Sequence, residues 1–254
     1  MLLAIDVGNT QTHVGTFEGA QLVEHWRFAT AREATADELA SLLVGLLGLR
    51  GLSLADLDGA IVSSVVPQLT HEYEQVSDRY LAGTLLLVGP GVRTGMPIRI
   101  DNPREVGADR LVNALAAYER FGAACIVVDF GTSTNYDAVS ADGEYLGGVL
   151  APGVEISMQA LSERAAKLPK VDFEAPAETI GRNTIAALQS GLIYGTAGQV
   201  DGIVARMREE LGVEVEAIAT GGLASAVVPF CAEVSEVDDE LTLDGLRLIH
   251  ERNA

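Results

Sequence analysis

Basic residues are scarce in this chain: 17 Lys and Arg stand against 36 Asp and Glu, a net charge of −19. A surface so acidic repels phosphate backbones and anionic headgroups, which excludes general nucleic-acid and membrane-surface binding. Cysteine is nearly absent. Cys125 and Cys231 form no CxxC and have no histidine close by in sequence, so neither a disulfide framework nor a structural zinc site is expected. No apolar run is long enough to span a bilayer, and LASLLVGLLGL at 39–49 reads as a buried helix. The opening MLLAIDVGN has no basic n-region and reaches Asp6 before a signal-peptide core forms, so a cytoplasmic location is expected. GxxxxGK[ST], GxSxG and HExxH are missing, which removes the P-loop, the nucleophile elbow and the zincin helix. The four histidines are scattered without metal-ligand spacing.

What the chain does carry is one pattern stated twice. LLAIDVGNTQTHVGTF near the start and IVVDFGTSTNYDAV half a chain later each run from an apolar strand to an Asp (Asp6, Asp129), a Gly (Gly8, Gly131) and then hydroxyl or amide residues. Glycine lets backbone N–H groups approach a phosphate, and Thr and Ser add donors. An acid at the end of a strand is placed to hold a hydrated divalent cation against phosphate oxygens. One Asp-x-Gly turn is also ordinary hairpin chemistry. Two copies at this spacing predict a duplicated fold with a nucleotide between its halves.

The rest of the chain alternates strands and helices. Strands are expected at 2–7, 12–18, 21–29, 59–67 and 84–88, with helices at 36–48 and 68–81. A helix over 105–122 joins the halves, and strands at 125–130, 133–139, 144–151 and 215–219 follow, with helices at 178–210 and 242–250. That order predicts an α/β layered fold with a mainly parallel or mixed sheet. The halves are expected to divide as 1–117 and 118–254.

Two further clusters carry chemistry. Glu105-Val106-Gly107-Ala108-Asp109-Arg110 precedes the apolar helix LVNALAAY. Its acid and arginine suit a helix start as cap and dipole partner, and they equally suit a base for a substrate hydroxyl beside a guanidinium that holds an anion. Thr220-Gly221-Gly222 follows the strand EAIA, either as a close approach to adenosine or phosphate or as a plain strand–helix joint. Gly147-Gly148 and Ala151-Pro152-Gly153 share that ambiguity.

These segments together resemble type III pantothenate kinase, within the acetate and sugar kinase/Hsp70/actin superfamily. DVGNT at 6–10, SSVVP at 63–67, NPREVGADRLVNALAA at 102–117, VVDFGTSTNYD at 127–137 and YLGGVLAPG at 145–153 carry the likeness. IGRNTIAALQSGLIYG at 180–195, ATGGLA at 219–224 and LTLDGLRLIHERN at 241–253 extend it over nearly the whole chain. The resemblance implies duplicated actin-like (ribonuclease H-like) domains with the nucleotide in the cleft between them. It implies transfer of the ATP γ-phosphoryl group to pantothenate, the first step of coenzyme A biosynthesis.

By position, the resemblance places the ATP phosphate loop on Asp6, Val7, Gly8, Asn9, Thr10, Gln11, Thr12 and His13. Asp6 would lie near magnesium, and Thr132 would be a further ATP contact. Gly107, Ala108, Asp109 and Arg110 would bind pantothenate, with Asp109 as general base. Asp129 would hold a monovalent cation, potassium or ammonium. Thr184 would touch pantothenate in a site completed across a homodimer interface. One position departs from the family: many members carry Tyr in the pantothenate pocket where this chain has Ile100. Two other readings remain, a nonenzymatic regulator of the same fold and a kinase for another small hydroxy-acid or sugar.

Overall fold

The structure, a computed structural model, describes residues 1–165 and 168–254. The chain divides into two compact units. The first comprises Met1–Gly95, Arg104–Ala116 and Thr242–Ala254, and the second Met96–Pro103 and Ala117–Leu241.

The first unit is built on a five-stranded sheet of β1 (Leu2–Val7), β2 (Gln11–Glu18), β3 (Gln21–Ala29), β4 (Gly59–Ser64) and β5 (Thr84–Leu87), in the order β3-β2-β1-β4-β5. β1 runs antiparallel to β2 and parallel to β4. Its apolar run LLAIDV suits this central place, because both of its faces are covered. β3 alternates exposed and half-buried residues along its length, the pattern of an edge strand with one wet face.

Helix α1 (Ala36–Gly48) opens on a capping box: Glu38 N–H donates to Thr35 Oγ1, and Thr35 N–H donates to Glu38 Oε2. Such a cap contributes about 1 kcal/mol. Leu39, Leu43 and Leu47 recur at helical spacing and are buried, each worth about 1.5–3 kcal/mol. They pack with Leu69, Tyr73 and Val76 of α2 (Pro67–Tyr80) against Leu3, Ile5 and Val14 of the sheet. Pro67, expected as the end of a strand, is instead the first residue of α2, where its missing N–H costs no hydrogen bond.

The second unit repeats the plan. β6 (Cys125–Phe130), β7 (Ser133–Val139), β8 (Tyr145–Pro152), β9 (Glu216–Thr220) and β10 (Glu236–Val237) form a sheet of order β8-β7-β6-β9-β10. β6 is antiparallel to β7 and parallel to β9, as β1 is to β2 and β4. Position by position this is the first sheet again, so the duplication read from two turns extends to the whole topology. The core lies between this sheet and α5 (Thr184–Leu211), where Ile126, Val128 and Tyr136 meet Ile193, Val200 and Val204.

α5 begins at Thr184, not near 178 as expected. The Asn183 side chain accepts from Ala186 N–H and caps it there, and Gly212 ends it at φ 65°. Helix α4 (Val154–Arg164), which follows Gly153, was not expected, nor was the two-residue β10. α3 (Ala108–Phe121) runs through the change of unit at 116–117, and the short α6 (Ala224–Val227) precedes α7 (Leu241–Asn253). Most of α7 belongs to the first unit, where Leu243 and Arg247 meet the β2 face bearing Gly15 and Phe17.

Cys125 is a buried small residue and Cys231 a half-buried one. Burial, with lesser help from Glu216 and Asp201, pushes Cys125 and Cys231 up to about 12, so both stay protonated near neutrality. Among the described residues no helix is long and apolar enough to cross a membrane.

Candidate active site

The first turn is held from behind by residues outside the motif. The Thr30 hydroxyl donates to Gly8 O at 2.8 Å, and Thr30 N–H donates to Thr10 O at 2.9 Å. Thr12 Oγ1 lies 3.0 Å from Thr30 Oγ1 and must donate to it, because the Thr30 hydrogen is already committed. Arg32 reaches Asn9 Oδ1 at 3.0 Å. Asn9, Thr10 and Gln11 are exposed, whereas Val7, Thr12 and His13 are buried. His13 Nε2 lies 3.5 Å from His25 Nδ1, with the rings edge-on. Asp6 is half-buried at the end of β1 and pairs in register with Ser63 of β4, whose buried hydroxyl has no hydrogen-bond partner among the described residues. A carboxylate beside an unsatisfied buried hydroxyl is a donor set that suits a hydrated cation or a phosphate oxygen.

The second turn has the same geometry with more glycine around it. Asp129 ends β6 beside Thr220 of β9 and Asn135 of β7, and Gly131 N–H donates to Ser133 O at 3.1 Å. Thr132 is exposed at its tip. Gly153 and Gly221 converge on it. A Cβ at Gly153 would lie 2.2 Å from Thr132 O, and one at Gly221 would lie 2.6 Å from Asp129 Oδ1. Gly221 also has φ 93°, a conformation open to glycine and little else. The Ala-Pro-Gly and Thr-Gly-Gly segments, ambiguous in sequence, are thus parts of one turn assembly around Asp129.

Asp109 lies in the first turn of α3, and its carboxylate Oδ1 accepts the Arg110 N–H at 2.9 Å. Burial raises its pKa above the ordinary value, while the Arg110 N–H and guanidinium pull the other way. Gly107 leaves room for that carboxylate: a Cβ there would come within 2.4 Å of Asp109 Oδ1. Ala108 and Arg110 flank it, half-buried. A desolvated carboxylate is a stronger base than an exposed one, which suits proton abstraction from an alcohol. Thr184 is exposed as the first residue of α5. Ile100 lies on the segment that pairs with Tyr145, its Cγ2 3.2 Å from where a Gly147 Cβ would stand. Thr30 and Arg32 carry no sequence signature, and Ser63, though it opens the SSVVP segment, was given no role there, because these roles depend on strand register.

The family model described as type III pantothenate kinase matches residues 2–206. The type III pantothenate kinase of Anaeromyxobacter sp. (strain Fw109-5) is 56% identical over 253 residues, covering 100% of each chain. The chain belongs to the type III pantothenate kinase family. More distant proteins share its fold. The crystal structure of a candidate Baf family transcriptional activator from Campylobacter jejuni superposes with a TM-score of 0.62 at 15% identity, covering 99% of this chain and 98% of that one. A ROK family glucokinase from Streptomyces griseus, in complex with glucose and AMPPNP, gives 0.52 at 12% identity, covering 100% and 99%. At such identities the likeness is one of fold: two mixed five-stranded α/β units of the actin-like kinase type.

Proposed function

We propose that this protein transfers the γ-phosphoryl group of ATP to the primary alcohol of pantothenate, giving 4′-phosphopantothenate for coenzyme A biosynthesis. The observation that carries the reading is Asp109: a half-buried carboxylate in the first turn of a helix, its pKa raised by desolvation, inside a chain of the type III pantothenate kinase family. Asp109 takes the hydroxyl proton as the alcohol oxygen bonds to the γ-phosphorus and the bond to ADP breaks. Phosphoryl transfer depends mainly on positioning and charge neutralisation, which the remaining residues supply.

In this reading the Asp6–His13 turn and Thr132 receive the ATP phosphates through backbone N–H and hydroxyl donors. Asp6, with Ser63 beside it, suits magnesium held through water, which would neutralise charge on the transferring phosphate. Asp129, enclosed by Gly131 and Gly221, suits a monovalent cation, potassium or ammonium. Gly107–Arg110 and Thr184 bind pantothenate, with Arg110 pairing with its carboxylate. Ile100 offers that pocket an aliphatic wall.

A homodimer is the proposed working unit. Supporting it, the second unit exposes Leu150, Ile180 and Ile185 at 63%, 83% and 53%. α5 also carries Gly191, Gly195 and Gly198, each with open space above it. Exposed apolar side chains beside small residues suit close packing of a second copy. The cytoplasm, where ATP is available, is the proposed location. A coupled assay with pantothenate, ATP, magnesium and potassium tests the activity directly. Turnover with a sugar but none with pantothenate would reject it in favour of another kinase, and no ATP turnover at all would favour a regulator.

A further inference from the structure

The end of β3, the loop after it and the nearby turns of α1 and α2 border an open pocket of about 440 Å³ on the surface of the first unit. This volume falls within the range of small-molecule sites. Its walls are apolar, with Phe28, Leu39, Leu42, Leu69 and the ring of Tyr73. The charged groups lining it are the carboxylates of Glu33 and Glu38. Glu33 has no hydrogen bond or ion pair among the described residues, and Glu38 receives both Thr35 donors on Oε2, leaving Oε1 without one. An open apolar hollow edged by two carboxylates complements an apolar body that carries a positive charge.

The cavity also borders the first phosphate turn. Ala29, Ala31 and Ala34 line it, and between them Thr30 and Arg32 make the hydrogen bonds to Gly8, Thr10 and Asn9. Thr12 belongs to both places, lining the cavity and donating to Thr30. Anything that shifts segment 29–34 therefore shifts the braces of the turn.

We propose that this cavity binds a small cationic amphiphile, an aryl- or alkylammonium compound, and that its occupancy is transmitted to the phosphate turn through Thr30 and Arg32. The binding half stands without the kinase reading; the transmitted half rests on it.

Trp26, the sole tryptophan, packs with Phe28 against the same core cluster, so its emission reports on the cavity. The full-length protein is titrated with 4-phenylbutylamine, 4-phenylbutanol and 4-phenylbutyrate, following Trp26 emission and heat. Saturable binding of one amine per chain is expected. The amine should bind about three- to fivefold tighter than the alcohol, the size of an exposed ion pair, with the carboxylate weakest. Glu33→Gln should shrink the amine's lead while leaving the alcohol unchanged. Ala34→Phe should block both; if that variant fails to fold, Leu42→Arg at the exposed mouth should repel the amine selectively. Absence of saturable binding, equal affinity for amine and alcohol, or binding that survives these variants overturns the site. With ATP as substrate, the amine should shift KM and leave kcat unchanged, and the shift should vanish in the blocked variant. Binding without that shift overturns the transmission, whereas a protein with no turnover at all leaves the Trp26 titration to decide the site.

Discussion

Gly221 lies so close to Asp129 that a methyl group on its Cα would stand 2.6 Å from the carboxylate Oδ1 and 2.7 Å from Phe130 backbone atoms. The residue after β9 therefore fixes where the carboxylate at the end of β6 can point. Gly221→Ala should displace Asp129 and also strain a backbone at φ 93°. Misplacement of a site by about 1 Å can cost 10²-fold in rate, and a loss of that order in kcat is expected. Steady-state kinetics with a parallel melting curve checks this. Unchanged kcat would show that the contact has no part in the chemistry.

Asp109→Asn preserves shape and removes basicity, so turnover should fall by about 10²–10⁴ with the fold retained. Near wild-type turnover would end the assignment of Asp109 as base.

The same residue makes a pH prediction. Burial raises the folded-state pKa of Asp109 above its ordinary 3.8. Its stabilising contribution is full below the unfolded value and is lost as pH rises through the folded one. Asp109→Asn should therefore gain melting temperature relative to wild type as pH is raised from about 3 to 7. The acid limb of kcat/KM in the wild type should likewise lie above the ordinary aspartate value. A melting difference independent of pH would contradict the sign.

Asp129 ends a buried strand, where an uncompensated charge is costly. If it holds a monovalent cation, replacing potassium with tetramethylammonium, too large to enter and weakly coordinated, should abolish activity. Full turnover without potassium or ammonium would reject the role.

A pantothenate site completed across two chains predicts complementation. Asp109→Asn and Thr184→Arg chains, each weak alone, should regain activity when mixed, because closed twofold symmetry gives a heterodimer one site free of both lesions. Sedimentation that finds an active monomer would refute the dimer. Failure despite proven subunit exchange would assign both residues to one chain's site.

Much of this architecture was legible because local pattern and local structure agree. The strand at 2–7 and the helix at 36–48 coincide with β1 and α1, whose apolar periodicity and Thr35 cap leave little choice. The two Asp turns were visible because glycine and hydroxyl residues are rare in that combination. α4 was missed because its first turn follows a Gly-Pro-rich turn and it buries few side chains, chiefly Val154 and Met158. The start of α5 was misjudged by overlooking Asn183 as a cap. The braces Thr30 and Arg32, and the placement of Ser63 beside Asp6, were illegible in principle. Each acts on a residue many positions away, through pairing that composition does not encode.

The order in which the chain is made has a consequence for its first unit. β1 to β5 leave the ribosome well before Leu243 and Arg247 of α7, which meet Gly15 and Phe17. Asn253 then closes on Arg93 through paired hydrogen bonds, and Arg252 reaches Thr94 O. Until α7 emerges, the part of β2 that bears Gly15 and Phe17 therefore lacks this cover, a vulnerable nascent surface. Loss of α7 would injure a part of the protein that is synthesised long before it.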